Sequence, residues 1–237
     1  MNYKISVVIR TFNEQKHIGE VLESLKKQTY ENFEVLIIDS ESTDSTLNIV
    51  SKYDTRIIGI KKADFNYSYA SNVGVKNASG DLICFLSGHS VPVKSSYLAD
   101  INDLFQDDRV GGCYGLVVAL PDGSWIEKLF SFLSFIKNKV IRRNKIRLET
   151  EIHQGILSCN NACIRKELLI KHPFADELGQ GGEDVGVAYQ IIQDGYYIAR
   201  DPKLMVMHSH GSNLKKFLQE RKAWDVMWED IQRYIVK

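Results

Sequence analysis

Asp81-Leu82-Ile83-Cys84-Phe85-Leu86-Ser87-Gly88-His89-Ser90-Val91-Pro92 is the stretch that decides the fold. Leu82 to Leu86 is a continuous apolar run of five residues. That is the length and composition of a strand buried on both faces, and such strands belong to parallel sheets covered by helices. The chain then turns abruptly polar at Ser87-Gly88-His89-Ser90, and Val91-Pro92 closes the turn. Ligands of open α/β sheets bind beyond the carboxyl ends of the strands, which makes this loop a candidate site. Read more plainly, it is an ordinary strand-to-helix connection with a solvated His89.

Working outward, strand and helix patterns alternate on the N-terminal side. Ile5 to Ile9 is a β-branched run followed by the loop Arg10-Thr11-Phe12-Asn13-Glu14, and Ile18, Val21, Leu22 and Leu25 recur at helical spacing. Phe33 to Ile38 predicts a second strand, ending in Asp39-Ser40-Glu41-Ser42-Thr43-Asp44. Ser42 or Thr43 is positioned to cap a helix carrying Leu47 and Val50. Arg56 to Ile60 predicts a third strand, and Tyr69 to Lys76 a short helix broken at Gly80. Such repeated units imply right-handed crossovers and a mostly parallel, Rossmann-like α/β sheet flanked by helices. With no internal repeat or linker, the 237 residues read as one domain.

Composition excludes several classes. Lys+Arg and Asp+Glu balance at 30 each, so no basic field points to nucleic acid. No apolar run reaches the roughly 18 residues that span a bilayer, and the N-terminus does not read as a signal peptide. A cytoplasmic location is expected, with Cys84, Cys113, Cys159 and Cys163 as buried free thiols.

Glu14 and Asp39 follow neighbouring strands, which places two carboxylates on one rim of the sheet. Carboxylates there accept hydrogen bonds from a nucleobase or a ribose. A helix cap or Asx turn is the alternative for Asp39. The Gly-x-Gly-x-x-Gly fingerprint is absent, which argues against a nicotinamide cofactor.

Ser6-Val7-Val8-Ile9-Arg10-Thr11-Phe12-Asn13-Glu14 and Ile37-Ile38-Asp39-Ser40-Glu41-Ser42-Thr43-Asp44 resemble the N-terminal half of a family 2 glycosyltransferase. So do Asn72-Val73-Gly74 and Ala78-Ser79-Gly80, and the second half continues the resemblance with Cys159-Asn160-Asn161-Ala162, Gly182-Glu183-Asp184, Gly195-Tyr196 and His208, in that order. The nearest branch is the rhamnosyltransferase-like one, through Phe65, Asn72 and Phe85-Leu86-Ser87-x-x-x-x-Pro92. The resemblance implies a GT-A fold, with a nucleotide-binding half over about 1–110 and an acceptor-binding half over about 111–237. It implies inverting transfer from a UDP-, dTDP- or GDP-sugar to a saccharide or lipid-linked saccharide, in cell-surface polysaccharide or glycolipid assembly. Thr11, Asn13, Glu14, Asp39, Asn72, Ser87 and His89 would then line the donor site.

Two departures from the family pattern bear on the chemistry. The loop after the central strand lacks the metal-holding Asp-x-Asp, and His89 stands where the resembling branch keeps one acid. An imidazole ligates Mn²⁺, whereas Mg²⁺ prefers oxygen. An arginine common before Asn-x-Gly is Ser71 here, which removes a phosphate contact.

Trp125 to Ile141 is a helical pattern dense in Ile126, Leu129, Phe130, Phe132, Leu133, Phe135, Ile136 and Val140. It runs into Lys137, Lys139, Arg142, Arg143, Lys145 and Arg147. The 125–147 segment fits a peripheral membrane helix, a homodimer contact, or a core helix with a solvated charge run.

Glu183 and Asp184 open a helix, where acids favour the dipole. By resemblance Asp184 is the catalytic base that takes the acceptor proton, with Glu183 orienting. His208 and His210, at i and i+2 on a strand, would share a face. With His89 they make either a metal site or a set of imidazolium donors for the leaving diphosphate. Leu214 to Val236 is a closing helix. A nucleotidyltransferase would want a basic, Gly-rich loop in place of Thr11-Phe12-Asn13-Glu14, and a non-catalytic nucleotide-sugar binder would not need Asp184.

Overall fold

Strand β1 (Ile5–Thr11) sends alternate side chains into two separate cores, because successive strand residues point to opposite faces. Ile5, Val7 and Ile9 join one core and Val8 the other. The same division recurs on β2 (Phe33–Asp39), where Val35 and Ile37 oppose Leu36 and Ile38. Helices α1 (Ile18–Lys26) and α2 (Thr46–Val50) cover the first face. The second is covered by α3 (Tyr67–Asn77), which follows β3 (Arg56–Gly59). The apolar run is β4 (Leu82–Ser87), with Leu82 to Leu86 buried on both faces as expected.

The computed structural model describes residues 1–141, 145–178 and 181–236, without the side chains of residues 141, 217, 220, 221 and 236. Its later elements are β5 (Val91–Pro92), α4 (Tyr97–Leu104), β6 (Val110–Val118), α5 (Trp125–Ile136), β7 (Arg147–Glu149), β8 (Asn161–Arg165), α6 (Lys166–Lys171), α7 (Glu183–Gln193), β9 (Tyr197–Met207) and α8 (Leu214–Val236). Among the described residues the nine strands form one sheet of order β3-β2-β1-β4-β8-β6-β9-β5, with β7 on β9. The β3-β2-β1-β4 part is wholly parallel. Beyond it, β8 runs antiparallel to both β4 and β6.

Local expectations shift at four places. Neither Ser42 nor Thr43 caps α2, which starts after Ser45. Helix α3 starts two residues early because the Asn66 side chain accepts the Tyr69 N–H at 2.7 Å. The 125–141 helix is α-helical only to Ile136 and ends in a π turn, Lys137–Ile141. Strand β9 stops at Met207, so His208 and His210 lie beyond its end rather than on one strand face. Arg142 and Arg143 lie outside the described residues. Among the described residues no helix is long and apolar enough to cross a membrane.

Candidate active site

The parallel register fixes the rim of the site. Thr11 pairs with Asp39 across β1 and β2, and Arg10 pairs with Ser87 across β1 and β4. The carboxyl ends of three strands therefore finish at one level, next to a cavity of about 660 Å³. Arg10, Ser87, Cys159, Asn160, Asp184, His208 and His210 line it, and Trp224 and Met227 of α8 form part of its wall.

The acid pair is placed by a turn that only glycine makes without strain. Gly182, at φ +91°, immediately precedes α7, and a Cβ there would meet Ile231 of α8 at 2.5 Å. Asp184 is buried, and its carboxylate accepts the N–H of Val185 at 2.8 Å and of Cys159 at 3.4 Å. Burial and, after it, the neighbouring Glu183 charge push its carboxyl up to about 8. Glu183, also buried and also raised by burial, is tied to the Arg10 guanidinium at 3.5 Å. Glu183 is thus held by a side-chain cation and Asp184 by two backbone N–H groups.

Arg10 is a site residue that the sequence reading passed over. Its guanidinium donates to Ser71 Oγ at 3.1 Å and lies 5.1 Å from the Tyr67 ring. A guanidinium thus reaches position 71 from β1, where the sequence itself has a serine. An arginine near the end of a mostly apolar central strand was the available signal.

The three histidines converge. Their candidate ligand atoms all lie within 4.8 Å of one another. The His89 and His208 rings stack at 4.4 Å, and His208 Nε2 is 3.1 Å from His210 Nε2. His89 Nδ1 sits 2.9 Å from the Glu14 carboxylate, which can only accept, so this nitrogen carries the proton. In the neutral ring Nε2 then presents a lone pair; it is buried and has no hydrogen-bond partner. His208 Nδ1 is held by Ser90 Oγ at 3.0 Å. His89 thus shows the outer-shell pattern of a metal-binding histidine, with its far nitrogen pinned by Glu14 and its near one open, while the near nitrogen of His208 faces His210. Gly88 permits it, because a Cβ there would meet Glu14 Cγ at 2.5 Å. Burial and then the two other imidazoles push His208 down to about 2, so it serves as a neutral ring and not as an imidazolium.

The residues expected to hold the nucleoside are largely engaged with one another. Asp39 is buried and accepts from Thr11 Oγ1 at 2.8 Å, Ser42 N–H at 2.9 Å and Ser42 Oγ at 2.6 Å. Asn13, at φ +56°, accepts the Thr43 N–H at 2.8 Å and so links the loops after β1 and β2. Asn72 faces elsewhere: its carboxamide both donates to and accepts from the Phe174 backbone, at 2.9 and 3.0 Å. It locks α3 to the loop after α6 and is not part of the cavity lining.

Residues 6–172 match the model of glycosyl transferase family 2. A dolichyl N-acetyl-alpha-D-glucosaminyl phosphate 3-beta-D-2,3-diacetamido-2,3-dideoxy-beta-D-glucuronosyltransferase of Methanococcus voltae is 27% identical over 93% of the chain, which spans 71% of that protein. The O-antigen chain rhamnosyltransferase WbaN of Salmonella anatum is 27% identical over 86% of the chain, which spans 66% of it. Among solved structures, the Mycobacterium tuberculosis glucosyl-3-phosphoglycerate synthase, in complex with Mn²⁺, UDP and phosphoglyceric acid, overlays with a TM-score of 0.67. It is 18% identical and is covered over 78% of its length by 97% of this chain. That likeness bears on the fold, which is the expected GT-A-type α/β arrangement.

Proposed function

Because the chain belongs to glycosyl transferase family 2, we propose that it moves a sugar from a nucleotide diphosphate sugar to a hydroxyl acceptor, inverting the anomeric centre. The acceptor hydroxyl attacks the anomeric carbon while the Asp184 carboxylate takes its proton. The bond from that carbon to the diphosphate oxygen breaks, and the nucleoside diphosphate departs. One displacement with one base gives inversion. A hydroxyl is a poor nucleophile until its proton has somewhere to go, and a carboxyl raised to about 8 is a stronger base than an ordinary one once ionised. The observation that carries this reading is the buried Asp184 on the same cavity as His208 and Arg10.

Glu183 orients Arg10, and Arg10 offers a fixed cation towards the diphosphate. Thr11, Asn13, Glu14 and Asp39 shape the rim where the nucleoside rests, and Ser87 lines the cavity beside them. His89, His208 and His210 fit a divalent cation, with Glu14 and Ser90 as their outer shell. Such an ion, when bound, neutralises charge on the leaving diphosphate. Three imidazoles suit Mn²⁺ or Zn²⁺ better than Mg²⁺. Relatives named for an O-antigen chain and for a dolichyl phosphate-linked sugar support a saccharide or lipid-linked saccharide acceptor.

A donor screen tests the reading. UDP-, dTDP- and GDP-sugars are added with Mn²⁺ or with chelator, and thermal shift is measured. One nucleotide should raise the midpoint, and Asp39→Ala should abolish that shift by collapsing the Thr11–Asp39–Ser42 loop. A shift unchanged in Asp39→Ala would put the nucleoside elsewhere.

A further inference from the structure

Helix α5 is built inside out. The positions turned towards the protein are Ile126, Glu127, Ser131, Ser134 and, in the π turn, Asn138; apart from Ile126 they are polar. Glu127 accepts the N–H groups of Ser124 and His210, Ser131 Oγ accepts the Ala119 N–H at 2.7 Å, and Asn138 donates to the Ser134 carbonyl. The outward positions are the large apolar ones: Trp125 is 65% exposed, Phe132 59%, Leu133 52% and Val140 68%. An amphipathic helix facing water carries the opposite arrangement. The helix is therefore not the core helix that was one of the sequence expectations, and its outer face matches an apolar phase outside the protein.

Charge identifies that phase. Within 125–147 there are seven basic residues and one acid, in a chain whose total charge is zero. The one acid, Glu127, is held by backbone N–H groups, and the next, Glu149, is buried against Tyr114 and His153. No carboxylate of this stretch is turned out to oppose an anionic surface. Two copies of the same face would bring cations against cations, which disfavours a symmetric self-contact. We infer that α5 docks the protein on an anionic lipid surface, with Trp125, Phe132 and Leu133 entering the headgroup boundary and Lys137, Lys139, Lys145 and Arg147 meeting the phosphates. The Glu127–His210 hydrogen bond sets this surface beside the histidine cluster, so a lipid-borne substrate would approach the cavity along it.

Vesicle binding tests this whether or not the protein transfers sugar. The protein is sedimented with phosphatidylcholine vesicles, with and without phosphatidylglycerol, at low and high salt. Wild type should sediment with the anionic vesicles and be released by salt, because the Debye length shrinks from about 10 Å at 0.1 M to about 3 Å at 1 M. Phe132→Ser with Leu133→Ser should lower partitioning at least about tenfold. Replacing Lys137, Lys139, Lys145 and Arg147 by Gln should cost about fivefold per charge and weaken the salt dependence. Trp125 fluorescence in wild type, corrected with Trp125→Phe, should shift to the blue and be quenched by brominated lipid, which reads insertion without any destabilising change. Failure of wild type to bind anionic vesicles at low salt would overturn the inference. So would a concentration-dependent dimer that Phe132→Ser dissolves, because it would put a second copy on this face.

Discussion

Asp184 links chemistry to stability in a way that can be measured without a substrate. Its folded carboxyl, raised to about 8 by burial and by Glu183, holds a proton that the unfolded chain releases near pH 4. The folded state therefore binds more protons between these limits, and stability falls as pH rises from about 4 to about 8. Asp184→Asn removes that loss. Its thermal midpoint should exceed wild type by several degrees at pH 8 and converge with it near pH 4; a gap independent of pH would show that Asp184 is not held protonated. In turnover the same group should give kcat/KM an acid limb that rises towards pH 8, because only the ionised carboxylate accepts a proton. Glu14 acts one step back from the cavity. If it fixes the His89 ring for metal, Glu14→Gln should weaken Zn²⁺ or Mn²⁺ binding by about 10–100-fold in calorimetry on untagged protein. Mg²⁺ binding as tight as that of Zn²⁺ would contradict a nitrogen-ligated centre.

At the scale of elements, what was legible in the sequence followed from periodicity. The run Leu82 to Leu86 announced a doubly buried strand, and the 214–236 helix emerged with the bounds read from its pattern. Pairwise side-chain traffic was not legible. The Ser42 bonds to Asp39 span only three residues and match the Asx turn that the sequence offered for Asp39, but nothing local says that Arg10 of β1 reaches Ser71 on α3. That contact depends on how the helix lies on the sheet, which a linear pattern does not encode. Asn72 shows the cost of borrowing a role from a motif. Its two hydrogen bonds to Phe174 make it a bracket between α3 and the loop after α6. Asn72→Ala should lose about 1–3 kcal/mol in denaturant unfolding while any nucleotide-induced thermal shift survives. Loss of that shift at unchanged stability would return Asn72 to the donor site.

At the scale of the molecule, one sheet with a core on each face positions one side of the cavity, and helices α7 and α8 supply the rest of its wall. Arg10 and Ser87 come from its parallel half, and Asp184 and the His208–His210 loop from the mixed half. The convergence of His89 with His208 and His210 is a whole-molecule property, since 118 residues separate His89 from His208 and the meeting is made by β4 and β9 ending on the same side. Only the composition of the cluster was readable beforehand; its geometry required the fold. The most direct test of the central claim is release of nucleoside diphosphate from a panel of UDP-, dTDP- and GDP-sugars with candidate saccharide acceptors, run with wild type and Asp184→Asn side by side. Wild type should turn over one donor, and Asp184→Asn should be slower by about 10²–10⁴-fold with its donor-induced thermal shift intact. Full activity in Asp184→Asn would contradict the assignment of the base.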